Sequence, residues 1–214
     1  DIIYEELSSS NPCMISRVGC TELNCINNYL TVYSERNIML KILDYIKDWT
    51  QVPWWNESHF QAMSLLSGIF PPCKETAIKF SEIYLRDIPQ IDVLGSFHYQ
   101  EKWLPLSSNV KKVHLETMYP FFVDRPWTRV LKNKKVLIVH PFVETIKSQY
   151  QNKSQLFETE ILPDFELVTL KAIQTIAGVK TEFISWFDAL EYMKKEISKI
   201  DFDIALLGCG AYGL

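Results

Sequence analysis

The chain has 214 residues, of which 47% are apolar and 22% charged. That is the balance of a folded globular protein, and the length suits one sizeable core. A formal charge of −4 argues against a general nucleic-acid binder, which needs a basic surface to displace phosphate counterions. No apolar run approaches the about 20 residues of a membrane-spanning helix. The five cysteines lack C-x-x-C spacing, so they fit reduced thiols in a cytoplasmic protein and not a structural zinc site.

In chain order, residues 14–16 read as a short strand that runs into Arg17-Val18-Gly19. Residues 21–33 then carry Leu23, Ile26 and Leu30 at helical spacing, with Thr21 as the expected N-cap. Residues 38–49 form an amphipathic helical pattern through Ile38, Leu40, Ile42, Leu43, Ile46 and Trp49. The aromatic stretch "VPWWNESHF" leads to helices expected at 58–69 and 74–85, separated by the stop signal Pro71-Pro72. Strands are expected at 91–94 and 110–115.

Residues 135–139 (Lys-Val-Leu-Ile-Val) are the clearest strand, ending at His140-Pro141 and followed by a helix over 143–150. A strand over 165–170, a helix over 186–197 and a strand over 202–207 complete the pattern. The alternation predicts an α/β fold, a Rossmann-like doubly wound, mostly parallel sheet flanked by helices, in a single domain over 1–214. The chain stops on "GCGAYGL". Its Gly208, Gly210 and Gly213 spell G-x-G-x-x-G without the helix that normally follows, so a longer natural chain is expected.

In such a sheet the carboxyl ends of the strands share one edge, where ligands bind. Arg17 to Glu22, Gly95 to His98, Glu116, His140 and the terminal glycine loop all follow predicted strands. Their chemistry suits a diphosphate. Gly208, Gly210 and Gly213 let backbone amides approach closely, and Arg17 offers a bidentate fork. Glu22 is a hard oxygen ligand for a divalent cation, and His140 can ligate, donate or act as a base. Each has a plainer reading: a tight packing turn, a capping ion pair, a satisfied strand-end histidine. A nicotinamide site is disfavoured, because the glycines lie in the last unit with no acidic residue about 20 positions later.

The segment "ISRVGCTE" resembles the motif R-[FIV]-G-x-x-E near the start of GT-D type bacterial glycosyltransferases. "KKVLIVHPFVETIKSQY", "LPDFELVTLKAIQTIAG" and "DFDIALLGCGAYGL" are similar to further segments of GT-D-like proteins from surface-polysaccharide gene clusters. The resemblance implies a Rossmann-like domain that transfers a sugar from a nucleotide-diphosphate donor to a glycan acceptor, with help from Mn²⁺ or Mg²⁺. It places Arg17, Gly19, Gly208, Gly210 and Gly213 on the donor, Glu22 on the metal, and Glu22, His140 and Glu116 among the catalytic groups. Glu144 is a further candidate base.

The usual motif reads R-F-G-D-G-E. Here the aspartate position holds Cys20 and the second glycine position holds Thr21. A thiol is a soft ligand ill suited to Mg²⁺ or Mn²⁺, so metal dependence is in doubt. The substitution also motivates an alternative reading, a non-catalytic nucleotide- or sugar-binding module.

Overall fold

The computed structural model describes residues 2–157 and 161–214. Eight α-helices are named in chain order among these residues: α1 (Ile2–Ser8), α2 (Cys20–Tyr33), α3 (Ile38–Ile46), α4 (Glu57–Ser67), α5 (Lys74–Asp87), α6 (Val143–Gln151), α7 (Lys153–Leu156) and α8 (Trp186–Ile197). Six strands accompany them: β1 (Ile15–Ser16), β2 (Val93–Ser96), β3 (Lys111–His114), β4 (Lys135–His140), β5 (Glu166–Lys171) and β6 (Ile204–Leu207). The fold is mixed α/β, with small parallel sheets flanked by helices.

Instead of one continuous sheet, the described strands form two three-stranded sheets, ordered β1-β2-β3 and β5-β4-β6. Every pairing is parallel. In the second sheet Leu137 of β4 lies opposite Val168 of β5 on one side and Ala205 of β6 on the other. The strand order therefore reverses direction at β4, and the ends of β4 and β6 are neighbours. Parallel pairing demands a crossover between successive strands, and α6 with α7 supplies one while α8 supplies the next.

β4 reads Lys-Val-Leu-Ile-Val-His and buries Val136, Leu137 and Val139 completely or nearly so. A continuous apolar run of this kind suits a central parallel strand covered on both faces. α8 starts at a capping box in which Ser185 Oγ accepts from the Asp188 amide and Asp188 answers the Ser185 amide. It ends over Lys194 and Lys195, so both termini suit the helix dipole. α4 is capped by Asn56, whose Oδ1 accepts from the Ser58 amide at 3.0 Å. It closes on Gly68 at φ +70 with the two Schellman-type bonds, Gly68 to Ser64 and Ile69 to Met63.

Thr21 is not the N-cap of α2. Gly19 is extended (φ −67, ψ 153) and its carbonyl already accepts from the Leu23 amide at 2.8 Å, so the helix starts one residue earlier, at Cys20. α3 is shorter than its sequence pattern and faces the unexpected way. Lys41 and Asp44 are its buried residues, whereas Met39 and Ile46 are 67% and 72% exposed. Its two buried ions have partners waiting: Lys41 Nζ donates to the Val32 carbonyl at 2.7 Å, and Asp44 pairs with Arg36 at 2.8 Å.

One hydrophobic core joins the two halves of the chain. Leu23 and Ile26 of α2, Phe80 and Tyr84 of α5, and Leu94 of β2 belong to the same buried cluster as Leu137 of β4, Trp186 of α8 and Tyr212. This cluster draws the start and the end of the chain together.

Candidate functional site

The first half of the site is the turn from β1 into α2. Val18 is fully buried and anchors the turn, while Arg17 and Cys20 on either side are exposed. Glu22, in the first turn of the helix, folds back over the turn. A Cβ built on Gly19 would sit 2.2 Å from Glu22 Oε2. With glycine at 19 the carboxylate occupies the space a side chain would take. Glu22 is half-buried, and its negative charge lies beside the N-terminal amides of α2, where the helix dipole favours it. No ion pair joins Arg17 to Glu22 among the described residues, so the plain capping pair does not form.

The second half is the terminal loop. Gly208 donates its amide to the Val139 carbonyl at 2.9 Å, which fixes the end of β6 beside the end of β4. A Cβ at Gly208 would come within 2.5 Å of His140 Cδ2, so the Cδ2 edge of the imidazole lies close against this glycine. Gly210 has φ +62, the left-handed conformation that glycine adopts without penalty. Gly213 has φ −91 and no such requirement. In place of an opening α-helix the loop closes in a 3₁₀ turn, Gly210–Tyr212.

That turn is pinned from two sides. Tyr84 donates its hydroxyl proton to the Ala211 carbonyl at 2.7 Å. Tyr212 stacks on Trp186 with ring centroids 4.9 Å apart and planes 9° from parallel, and its hydroxyl lies 3.2 Å from Thr175 Oγ1. Thr175 in turn donates to the Gly68 carbonyl at 2.6 Å.

Tyr84 is where the two halves meet. Burial pushes its phenol well above the ordinary tyrosine range, the Glu22 carboxylate and the Cys209 thiol push it further up, and the Arg17 guanidinium opposes them. The two charged groups of the "RVGCTE" turn therefore act on a phenol bonded to the terminal loop. Cys209 itself is buried, and that burial raises its thiol to about 11.

His140 ends β4 half-buried, with Nδ1 accepting from the Phe142 amide at 3.0 Å. A nitrogen that accepts carries no proton, so neutral His140 holds its proton on Nε2 and presents a donor. His98 and His114 make the same turn, accepting at Nδ1 from the amides of Gln100 (3.2 Å) and Glu116 (3.4 Å). The strand-end histidines are thus local caps first, each leaving its Nε2 for other work.

Two carboxylates lie apart from this group. Glu116 follows β3 in an exposed 3₁₀ turn beside His114, at 3.7 Å. It stands two strands from Arg17 in the first sheet, roughly 10 Å by ordinary strand spacing. Glu144 is in the first turn of α6 and pairs with Lys147 at 3.0 Å on the surface. Glu22 is the one carboxylate at the junction that the charge interactions at Tyr84 register. Among the described residues no cluster of three or more His, Cys, Asp or Glu is arranged to hold a metal ion. At the turn into α2 Glu22 is a hard oxygen ligand, and Cys20, two residues before it, is a soft one.

The sequence pointed to Arg17, Gly19, Glu22, Gly208, Gly210, Gly213, His140 and Glu116; the structure sets Glu22 against Gly19 and His140 against Gly208 and leaves Glu116 in its own turn beside His114. It gave no hint of Tyr84, Thr175 or Trp186, which hold the terminal loop in place. Their side chains look like ordinary core or loop residues, and only contacts across more than 30 positions of sequence reveal them. No helix is long and apolar enough to cross a membrane among the described residues. Comparison with protein-family models, with curated proteins and with solved structures finds no match.

Proposed function

We propose that the chain is a glycosyltransferase of Rossmann-like, doubly wound type, moving a sugar from a nucleoside-diphosphate donor to a glycan acceptor in surface-polysaccharide or glycoprotein synthesis on the cytoplasmic side. The resemblance of "ISRVGCTE" and "DFDIALLGCGAYGL" to GT-D sequences suggests the class. The observation that carries it to this site is the meeting of Arg17 and Glu22 with the terminal loop at Tyr84.

In this reading the donor diphosphate lies along the loop between α2 and β4. Arg17, exposed and without an ion-pair partner among the described residues, gives its fork to the phosphate oxygens. His140 donates from Nε2 toward the same charge, which grows as the nucleoside diphosphate departs. Glu22 is assigned as the base for the acceptor hydroxyl, since the Nδ1 of His140 is engaged. A divalent cation would take one oxygen from Glu22 and the rest from phosphates and water, and no step here depends on it.

The test is thermal stabilisation by UDP, GDP, CDP and their sugar conjugates, with and without Mn²⁺, since a ligand specific to the folded state raises stability by mass action. One donor family should raise Tm, and Arg17→Ala and Glu22→Ala should weaken the shift. Silence from every donor would sink the reading. Cys20 in place of the motif's carboxylate favours a second reading, a binding module without turnover. Donor binding with no product across an acceptor panel would select it.

A further inference from the structure

We infer that the outward face of α3, with the aromatic segment after it, is a docking surface for a second copy of this chain. Met39, Leu43 and Ile46 follow one another at i, i+4 and i+7, so they form one stripe along the helix. Ile38 and Trp49 stand at its two ends, and Trp54 joins it through Tyr45, whose ring meets the Trp54 ring edge-on at 6.5 Å between centroids. These seven side chains are between 43% and 72% exposed. The reading does not depend on the donor site.

The stripe faces outward because the opposite side of the helix is held inside. Lys41 Nζ donates to the Val32 carbonyl, Asp44 pairs with Arg36, and Asp48 accepts from the Tyr99 hydroxyl at 2.9 Å. Turning the stripe inward would break all three. A large side chain offers roughly 200 Å² when fully open, so seven that are about half exposed present on the order of 800 Å² of mostly apolar surface. That exceeds the about 300–600 Å² of the largest patch on a typical monomer. It matches the about 800 Å² that each partner gives to an interface of standard size.

The charges around the face choose the occupant. Glu35 and Asp48 stand at its rim against Arg36 and Lys47, all four exposed and none of them on the stripe. Arg36 is engaged by Asp44, and Lys47 lies over the Trp49 ring at 4.6 Å. An anionic lipid surface or an acidic partner draws on an excess of basic residues, and this rim is balanced. An apolar centre within a balanced rim suits the face itself. Across a two-fold axis the same patch meets its copy, stripe on stripe, with no field of one sign to oppose the contact.

The test is sedimentation velocity from about 1 to about 100 µM, the weak end of the affinities that interfaces of this area reach. The 25.0 kDa species should give way to one of twice that mass as concentration rises. Met39→Glu and Ile46→Lys place a charge in the middle of the stripe, and each should raise the dissociation constant at least about tenfold, since an unpaired charge is costly in a desolvated contact. Ile184→Lys changes a side chain that is 89% exposed just before α8 and should leave the dimer intact. All three side chains are mostly exposed within one protomer, so Tm in dilute protein, where the copies stand apart, should not move. A monomer at every concentration overturns the inference, and flotation of that monomer with phosphatidylcholine–phosphatidylglycerol vesicles would give the face to a lipid surface instead. A dimer that Met39→Glu and Ile46→Lys leave unchanged, or that Ile184→Lys disrupts equally, overturns it as well.

Discussion

The Tyr84 hydroxyl donates to the Ala211 carbonyl across 127 positions of sequence, fastening the terminal loop to α5. Tyr84→Phe leaves that buried carbonyl without its donor, at a cost of about 1–2 kcal/mol. For a chain of this length the expected fall in Tm is about 2–8 °C, and differential scanning calorimetry checks it. An unchanged Tm would mean that the loop is held by the Trp186 stack alone.

Buried acids make the fold alkali-sensitive. Burial raises Cys25 and Tyr212 to about 12 and Cys209 to about 11, from ordinary values of 9.0 for a thiol and 10.0 for a phenol, and lifts Tyr84 well above its 10.0. The folded state thus holds protons that the unfolded state gives up first. The stabilisation is complete below pH 9 and is lost as pH rises through 9–12. Urea midpoints should be level from pH 7 to 8.5 and fall from about pH 9. A midpoint that stays level to pH 11 would contradict the burial of these groups.

Gly208→Ala places a methyl group 2.5 Å from His140 Cδ2. The ring must swing away, losing the Phe142 amide at Nδ1, with an expected stability cost of about 1–3 kcal/mol. The imidazole proton signals in the NMR spectrum should shift. Gly213→Ala serves as the comparison, because the nearest atom to its Cβ would be 3.3 Å away and its φ is ordinary.

Thiol reactivity should separate cleanly. Cys20 is exposed, while Cys25 and Cys209 are buried with raised thiols. A thiolate reagent at pH 8 should label Cys20 in the folded protein and reach Cys25 and Cys209 only on unfolding. A bound donor should slow the labelling of Cys20, two residues from Glu22. Rapid labelling of Cys209 would mean that the terminal loop opens.

The outward face of α3 is the largest mismatch between pattern and burial. Ile46→Lys changes a side chain that is 72% exposed, so stability should stay within about 0.5 kcal/mol. Binding of a hydrophobic dye should fall, because exposed apolar patches of this kind are sticky. A large loss of stability would show that Ile46 packs against something in solution.

Local signals in the sequence determined the elements. The apolar run of β4, the capping box of α8 and the periodicity of α2 and α5 are short-range patterns, and each element lies within a few residues of its expected place. Candidate residues at strand ends were legible for the same reason, since a strand followed by Arg17, His140 or Gly208 identifies its own carboxyl end. Three things required the tertiary structure. The strands divide into two sheets, because pairing partners are chosen by long-range packing and leave no mark on either strand. α3 turns its apolar stripe outward, because Lys41 and Asp44 find a carbonyl and a guanidinium waiting inside. Tyr84 fastens α5 to the terminal loop, a contact between groups whose local sequence is that of an ordinary core helix and an ordinary glycine turn.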